Sequence, residues 1–158
     1  MPEPAVPAAP AYTRTIAARW GDMDFNGHMR NTAYLDAAGD TRMRYFVEHG
    51  FTVPDFERLQ IGPVILRDTL EYYKELHLLE EVDVLQTATG ISEDGSHFRI
   101  RNEFRRADGQ RVAKVESVGG WLDLRARKLA APPPELQTLL LSMPRAADFE
   151  GLDSLLRR

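Results

Sequence analysis

Two Asp-Gly pairs in the second half of the chain restrict its fold more than any other feature. Asp94-Gly95 and Asp108-Gly109 each separate runs that are rich in Val, Ile, Phe and Thr. An Asp-Gly pair between such runs is typical of a tight β-hairpin, because the turn requires residues that tolerate positive φ. The runs cover residues 82–92, 97–106 and 111–123. We therefore predict three consecutive antiparallel strands.

A helical pattern precedes these strands. Apolar side chains recur at mostly three- and four-residue spacing over residues 31–50, and Gly50 offers a helix stop. Residues 13–20 before the helix and 64–76 after it have strand character. The order of one strand, one long helix and four strands predicts an α+β fold with a five-stranded antiparallel sheet.

The domain organisation follows from this order. Residues 12–131 would form a single domain, preceded by a flexible Pro- and Ala-rich tail of residues 1–11. Residues 132–158 would form a C-terminal tail with a short helix over residues 135–142. One helix covers only one face of a sheet, so the other face must meet solvent or a second subunit. We therefore expect a homodimer or a homotetramer.

Composition excludes several classes of function. A net charge of −4 over 158 residues argues against a nucleic-acid binder. The chain has no cysteine, which excludes disulfides and thiol nucleophiles and suits the reducing cytoplasm. The first residues lack the basic flank of a signal peptide, and no run approaches the roughly 18 apolar residues that span a membrane. We expect a cytoplasmic protein without membrane or nucleic-acid partners.

Polar residues of the kinds that take part in catalysis are concentrated in the segment WGDMDFNGHMRNTAY, residues 20–34. It places Asp22, Asp24, Asn26 and His28 where the first strand gives way to the helix. A helix N-terminus offers backbone N–H groups without intrahelical partners and a partial positive charge. Acids, a candidate base and donors for an oxyanion therefore meet within one short turn.

The same segment has two other interpretations. The pattern D-x-D-x-N-G from Asp22 matches the first half of a calcium-binding EF-hand loop. However, Ala33 stands where the bidentate Glu is required, and a strand rather than a helix precedes the loop. We therefore expect no metal site. A purely structural role in capping or holding the turn stays an alternative for Asp22, Asn26 and His28.

The segment resembles the signature of the hotdog-fold acyl thioesterases of the 4-hydroxybenzoyl-CoA thioesterase-like superfamily. In that signature, a D-x-D segment precedes G-H-x-x-N-x-x-Y at the start of the central helix. The spacing D-x-N-x-H-x-x-N-x-x-Y is also similar to that of plant acyl-carrier-protein thioesterases. It is filled here by Asp24, Asn26, His28, Asn31 and Tyr34. The resemblance implies a single hotdog domain, in which the sheet wraps around one long central helix.

The resemblance also implies catalytic roles. In similar enzymes, the acid that matches Asp24 acts as a nucleophile or activates a water, and the backbone amide near Asn31 polarises the thioester carbonyl. Asn26 and His28 would orient the water or the acid. The downstream segment TLEYYKEL carries Glu71, which would act as a base from a neighbouring strand or subunit. A solvated surface charge is the alternative for Glu71.

Substrate contacts are implied for Gly27 and Tyr34, with Tyr34 lining an acyl tunnel. Some relatives bind the nucleotide phosphates of coenzyme A with a basic cluster at a hairpin, but the corresponding turn here reads SEDGS and is acidic. Arg99 and Arg101 lie nearby and could substitute, although a row of arginines is more often a solvated face. Coenzyme A and a carrier protein therefore both stay open as the leaving group.

We predict an acyl thioester hydrolase that releases a carboxylic acid from coenzyme A or from acyl-carrier protein. Coenzyme A would be part of the substrate, and no other cofactor is expected. Two alternatives stay open. One is a hotdog hydratase or dehydratase that moves protons with His28 and Asp24, and the other is a non-catalytic acyl-binding module.

Overall fold

Seven strands and three helices make up residues 10–156, the part of the chain that the computed structural model describes. In chain order they are β1 (Tyr12–Ala17), α1 (Asn31–Glu48), α2 (Val53–Leu59), β2 (Ile61–Tyr72), β3 (Glu81–Ser92), β4 (His97–Arg105), β5 (Arg111–Asp123), β6 (Lys128–Ala130), α3 (Pro134–Leu141) and β7 (Arg145–Leu152). A single 3-10 turn, Trp20–Asp22, follows β1. The predicted tail of residues 1–11 lies almost wholly outside the described residues.

The predicted hairpins are confirmed. Strands β3, β4 and β5 pair in sequence and antiparallel, while β1 adds to β3 and β2 adds to β5, which gives the order β1-β3-β4-β5-β2. Gly95 and Gly109 have φ of 74° and 88°, values that the hairpin turns require and that side chains disfavour. The five predicted strands therefore form one antiparallel sheet.

Two strands were not predicted. The short β6 continues the meander by pairing with the end of β5. Strand β7 pairs parallel with β3 from Ala88 to Ser92, on the same edge where β1 pairs up to Gln86. The C-terminal segment of residues 132–158 thus contains a strand as well as the short helix α3. The sequence of β7, RAADFEGL, has no β-branched residue, so it gave no strand signal.

Two predicted strands, β1 and β2, have a boundary that lies three or more residues from the one in the structure. Strand β1 ends at Ala17 rather than at residue 20, because Asp22 accepts the backbone N–H of Arg19 and closes a 3-10 turn. Strand β2 begins at Ile61 and ends at Tyr72 rather than covering residues 64–76. The regular register with β5 ends there, because the N–H groups of Tyr73 and Lys74 both donate to the Val112 carbonyl. The chain then reaches the loop that precedes α1, where the Met29 N–H donates to the Leu76 carbonyl.

Helix α1 packs against the inner face of the sheet, which curls around it in the hotdog arrangement. The helix buries Tyr34 and Ala38 near its start and Tyr45 and Phe46 near its end. The first two residues belong to an apolar cluster that contains Phe104 and Val84. The last two belong to a second apolar cluster, which contains Phe98 and Trp121. Within residues 10–156, none of the helices combines the length and the apolar character of a membrane span.

Candidate active site

The segment from Asp22 to Met29 forms a closed turn. Met23 and Met29 make an antiparallel bridge, and the Asp24 N–H donates to the His28 carbonyl at 2.8 Å. At the tip, the Gly27 N–H donates to the Asp24 carbonyl at 3.2 Å, and Gly27 adopts a left-handed φ of 76°. The backbone of this turn is therefore fixed by its own hydrogen bonds.

The Asp24 side chain is exposed and is held from one side only. Its Oδ1 atom accepts the backbone N–H groups of Asn26 at 2.8 Å and His28 at 3.2 Å. Its Oδ2 atom has no hydrogen-bond partner among residues 10–156. The carboxylate is thus fixed in direction while one oxygen stays available to a ligand. Asn26 contributes its backbone to this turn, and its side chain is exposed.

Asp22 differs from Asp24 because it is buried and fully engaged. It accepts the backbone N–H of Arg19 at 3.1 Å and pairs with the Arg19 guanidinium at 3.0 Å. Hydrogen bonds from that guanidinium lower the pKa of the Asp22 carboxyl, against the opposing effect of burial. The Asp22 carbonyl also accepts the Arg30 N–H at 2.7 Å. These contacts support the structural role for Asp22.

The N-terminus of α1 carries no side-chain cap. Its N-cap position is Arg30, whose guanidinium can donate but not accept, so it cannot bind the first N–H groups of the helix. Ala33 N–H donates to the Arg30 carbonyl at 3.0 Å. The N–H groups of Asn31 and Thr32 have no partner in the described part of the chain. Two donors at the positive end of the helix dipole are therefore free.

His28 is paired with two residues that the sequence did not single out for the site. Its Nε2 atom lies 2.9 Å from Glu75 Oε2, and its ring meets that of His77 edge to face at 5.3 Å between centroids. Only the docking of two segments far apart in the chain brings these residues together. No local pattern in the sequence could have identified them.

Glu71 is not joined to the Asp24 turn by any contact within residues 10–156. It accepts the Tyr73 hydroxyl at 2.6 Å, and that hydrogen bond lowers its pKa. The neighbouring Tyr72 lies on the opposite face of β2 and donates its hydroxyl to the Asn31 carbonyl at 2.9 Å. Because successive strand residues alternate between faces, Glu71 is on the outer face of the sheet.

The predicted substrate contacts lie in different environments. Gly27 is exposed at the tip of the turn. Tyr34 is only 3% exposed and packs edge to face against Tyr72 and Phe104, and burial raises its pKa to about 12. Tyr34 is therefore part of the apolar core of this chain, and its role in an acyl tunnel stays a prediction.

Arg99 and Arg101 lie on the outer face of β4 among acidic partners. Arg99 pairs with Glu150 at 2.7 Å, and Arg101 pairs with Asp148 at 2.7 Å, so both reach across to β7. Glu116 on β5 lies within 3.5 Å of both guanidinium groups. Their positive charges are thus balanced within the chain, and a contact with nucleotide phosphates stays a prediction.

Large apolar side chains surround Asp24. Trp20 and Phe25 are among the most exposed apolar residues of the structure, with relative solvent-accessible surface areas of 82% and 108%. With Leu78, they line an open groove of about 590 Å³ that includes Asp24. Such a concentration of exposed apolar area is typical of a surface that binds a ligand or another protein.

A second apolar space lies between α1 and the sheet. This cavity of about 290 Å³ is bordered by Gly39, Phe46, Ile65 and Trp121. None of its lining residues belongs to the Asp24 turn, so within one chain the two spaces are separate.

Comparison with known proteins gives the family. A sequence model of the thioesterase-like superfamily matches residues 18–140. A search of curated protein sequences found no significant match.

Several solved structures share the fold. A hypothetical protein from Staphylococcus aureus, solved in complex with CoA, aligns with a TM-score of 0.76 and 21% identity over 83% of this chain and 82% of that one. A 1,4-dihydroxy-2-naphthoyl-CoA thioesterase from Synechocystis aligns with a TM-score of 0.74 and 16% identity, over 84% of this chain and 96% of that one. A gentisyl-coenzyme A thioesterase gives a TM-score of 0.71 and 15% identity, with 83% and 100% covered. Because the family match also covers more than half of the sequence, the chain belongs to the thioesterase-like superfamily.

Proposed function

We propose that this protein hydrolyses acyl thioesters of coenzyme A, with Asp24 as the principal catalytic residue. The observation that carries the proposal is the Asp24 carboxylate, held by two backbone N–H groups with one oxygen free, in the turn that leads into an uncapped helix. Membership of the superfamily supports hydrolysis in general. The naming of CoA or of CoA esters for similar structures favours coenzyme A over a carrier protein.

The chemistry requires an attacking oxygen and a site for the developing oxyanion. Asp24 can take a proton from a water that attacks the carbonyl carbon, or its free oxygen can attack directly and form an anhydride that water then opens. In either route the carbon–sulfur bond breaks, the acyl group leaves as a carboxylic acid, and the thiolate takes up a proton. The free N–H groups of Asn31 and Thr32 are the natural donors to the oxyanion.

His28 and Asn26 would support Asp24. The His28 N–H fixes the carboxylate, while its ring, paired with Glu75, can orient a water beside the turn. Asn26 fixes the same carboxylate oxygen through its backbone and leaves its exposed amide for substrate or water. Glu71 could take part only if a second copy of the chain brought it to the Asp24 turn.

We further propose that the active form is a homo-oligomer. In a single chain the Asp24 groove is open, and Trp20 and Phe25 lie in solvent. A second copy packed over these side chains would exclude water from the groove. Electrostatic stabilisation by the helix N–H groups would then be stronger than in an open site.

The test is thiol release from a panel of short, long and aromatic acyl-CoA esters. We expect wild type to hydrolyse at least one ester and Asp24→Asn to be slower by about 100-fold or more, because positioned acid–base groups contribute about 10²–10⁴-fold. Asp108→Asn is the matched control, since Asp108 makes a similar contact with the Gln110 N–H in an exposed turn. Equal rates for wild type and Asp24→Asn would refute the role of Asp24.

One observation favours a second activity. The 2.9 Å pair of His28 and Glu75 is a histidine–carboxylate pair of the kind that moves protons in hydratases. Loss of the conjugated absorbance of an enoyl-CoA, without thiol release, would identify a hydratase. Tight acyl-CoA binding with neither reaction would identify an acyl-binding module.

A further inference from the structure

Three side chains with metal-binding atoms meet beside the Asp24 turn. We call His28, Glu75 and His77 the His28 cluster. One nitrogen or oxygen atom from each of the three lies within 4.8 Å of the other two, and His28 Nε2 is 2.9 Å from Glu75 Oε2. The side chains of Glu75 and His77 are 64% and 66% exposed, so an ion from solvent can reach them.

The backbone places these residues, because Glu75 and His77 flank a buried anchor. Leu76 between them is fully buried, and its carbonyl accepts the Met29 N–H at 2.8 Å. In an extended segment, residues two apart lie on the same side. Burial of Leu76 therefore turns both neighbours outward, and the hydrogen bond from Met29 holds them next to His28.

We propose that the His28 cluster binds a divalent transition-metal ion of the zinc type. Two imidazole nitrogens and one carboxylate oxygen are a common donor set for zinc, which leaves a fourth position for water. Tetrahedral zinc with bonds of about 2.0–2.2 Å places its donor atoms about 3.3 Å apart. The His28–Glu75 pair is already close to that separation, so only His77 has to move inward. Calcium and magnesium are disfavoured because they require oxygen donors.

Neighbouring charges are compatible with a cation. Glu80 lies 3.7 Å from His77 Nδ1 and can orient that ring. Arg106, whose guanidinium donates to the Glu75 carbonyl at 2.6 Å, also pairs with Glu80 at 2.7 Å, so its positive charge already has an acidic partner. Glu75 supplies the negative charge that lowers the cost of holding a divalent ion.

Metal binding would affect the proposed hydrolysis, and this consequence rests on the proposed function. The ring of His28 would become a ligand, while its N–H still holds Asp24 Oδ1. A ring bound to the ion could no longer orient a water beside the turn. We therefore infer that zinc inhibits the enzyme.

The direct test measures metal binding without substrate. Metal-free protein, with any affinity tag removed, is titrated with zinc in competition with a chromophoric chelator. We expect one zinc ion per chain in wild type and an affinity at least tenfold weaker in His77→Gln, because a ligand is lost. His97→Gln is the matched control, since His97 lies against the Asp153 carbonyl and outside the cluster. Cobalt(II) should give the visible absorption of a tetrahedral site in wild type and in His97→Gln only.

Hydrolysis is measured separately. In the presence of EDTA, wild type and His77→Gln should both turn over acyl-CoA, which tests the hydrolase independently of the metal, and each rate with EDTA is the reference for that protein. Added zinc should inhibit wild type and spare His77→Gln. Absence of zinc binding by wild type, or unchanged zinc affinity in His77→Gln, would overturn the metal site even if hydrolysis is found.

Discussion

The side-chain amide of Asn102 donates a 2.9 Å hydrogen bond to the side-chain carbonyl of Gln86 in the middle of the protein core. The two residues are directly opposite each other on β4 and β3, and both are fully buried. Asn102 Oδ1 has no partner within residues 10–156, and the Gln86 amide reaches only the sulfur of Met143 at 3.8 Å. A hydrogen-bonded polar pair thus lies fully buried on the inner face of the sheet.

Breaking this pair on one side should destabilise the protein more than replacing both partners. In Asn102→Ala, the buried Gln86 carbonyl loses its donor, so we expect the free energy of unfolding to fall by about 1–3 kcal/mol. The double variant with leucine at both positions should lose less, because no polar group is left buried without a partner. Urea unfolding of wild type and the two variants measures the difference. A double variant less stable than Asn102→Ala would contradict the explanation.

Gly119 should not tolerate a side chain. A Cβ atom there would lie 2.2 Å from the Val64 carbonyl oxygen and 3.1 Å from the Phe98 ring. The first neighbour is backbone, so Gly119→Ala must push β2 away from β5. We expect a loss of at least about 2 kcal/mol in the free energy of unfolding, within the usual range for overpacking. Thermal or urea unfolding measures this, with Gly151→Ala as control because nothing lies within 4 Å of that position.

Asp94 should make stability depend on pH. Burial alone would raise its pKa, but hydrogen bonds from the hydroxyls of Ser154, Ser96 and Ser92 hold the pKa of Asp94 well below its ordinary value. A depressed folded-state pKa stabilises the protein above the unfolded-state pKa, about 3.9, and this stabilisation is lost as the pH falls toward the folded-state value.

We therefore expect Asp94→Asn to be less stable than wild type at pH 7 and to differ less from it at pH 3. Urea unfolding at the two pH values measures the difference. Asp108→Asn, at the turn of the next hairpin, is the control for removing a turn aspartate. An equal deficit for Asp94→Asn at both pH values would show that its charge is not involved.

Gly39 offers a stabilising substitution in α1. Glycine inside a helix costs about 1 kcal/mol relative to alanine, and a Cβ at this position would meet only Arg42 Nη2, at an ordinary 3.6 Å. We expect Gly39→Ala to raise the free energy of unfolding by about 0.5–1 kcal/mol. Urea unfolding of wild type and Gly39→Ala measures this change in the free energy of unfolding. A decrease would mean that the cavity beside Gly39 has to stay open for the helix to pack.

Features of the fold that depend on neighbouring residues could be predicted from the sequence, and features that depend on distant contacts could not. The Asp-Gly turns and the polar turn around Asp24 are determined by residues that are adjacent in sequence. The hairpins and the Asp24 turn of the site could therefore be predicted. Strand β7 could not be predicted, because it pairs with residues of β3 that are distant in sequence and it contains no β-branched residue. Glu75 joins His28 only because Leu76 docks onto Met29. For Arg99, the alternating pattern predicted a charged face but not its acidic partner on β7.

Strand β7 also bears on how this protein is made. It is synthesised after every other described strand, yet it pairs with the edge of β3 at Ala88 to Ser92, next to the part of β3 that pairs with β1. Until β7 emerges from the ribosome, Ala88 to Ser92 would expose unpaired backbone groups, which can recruit strands of other chains. Expression conditions that slow release of the nascent chain should therefore favour aggregation, and late-acting chaperones should matter more than early ones.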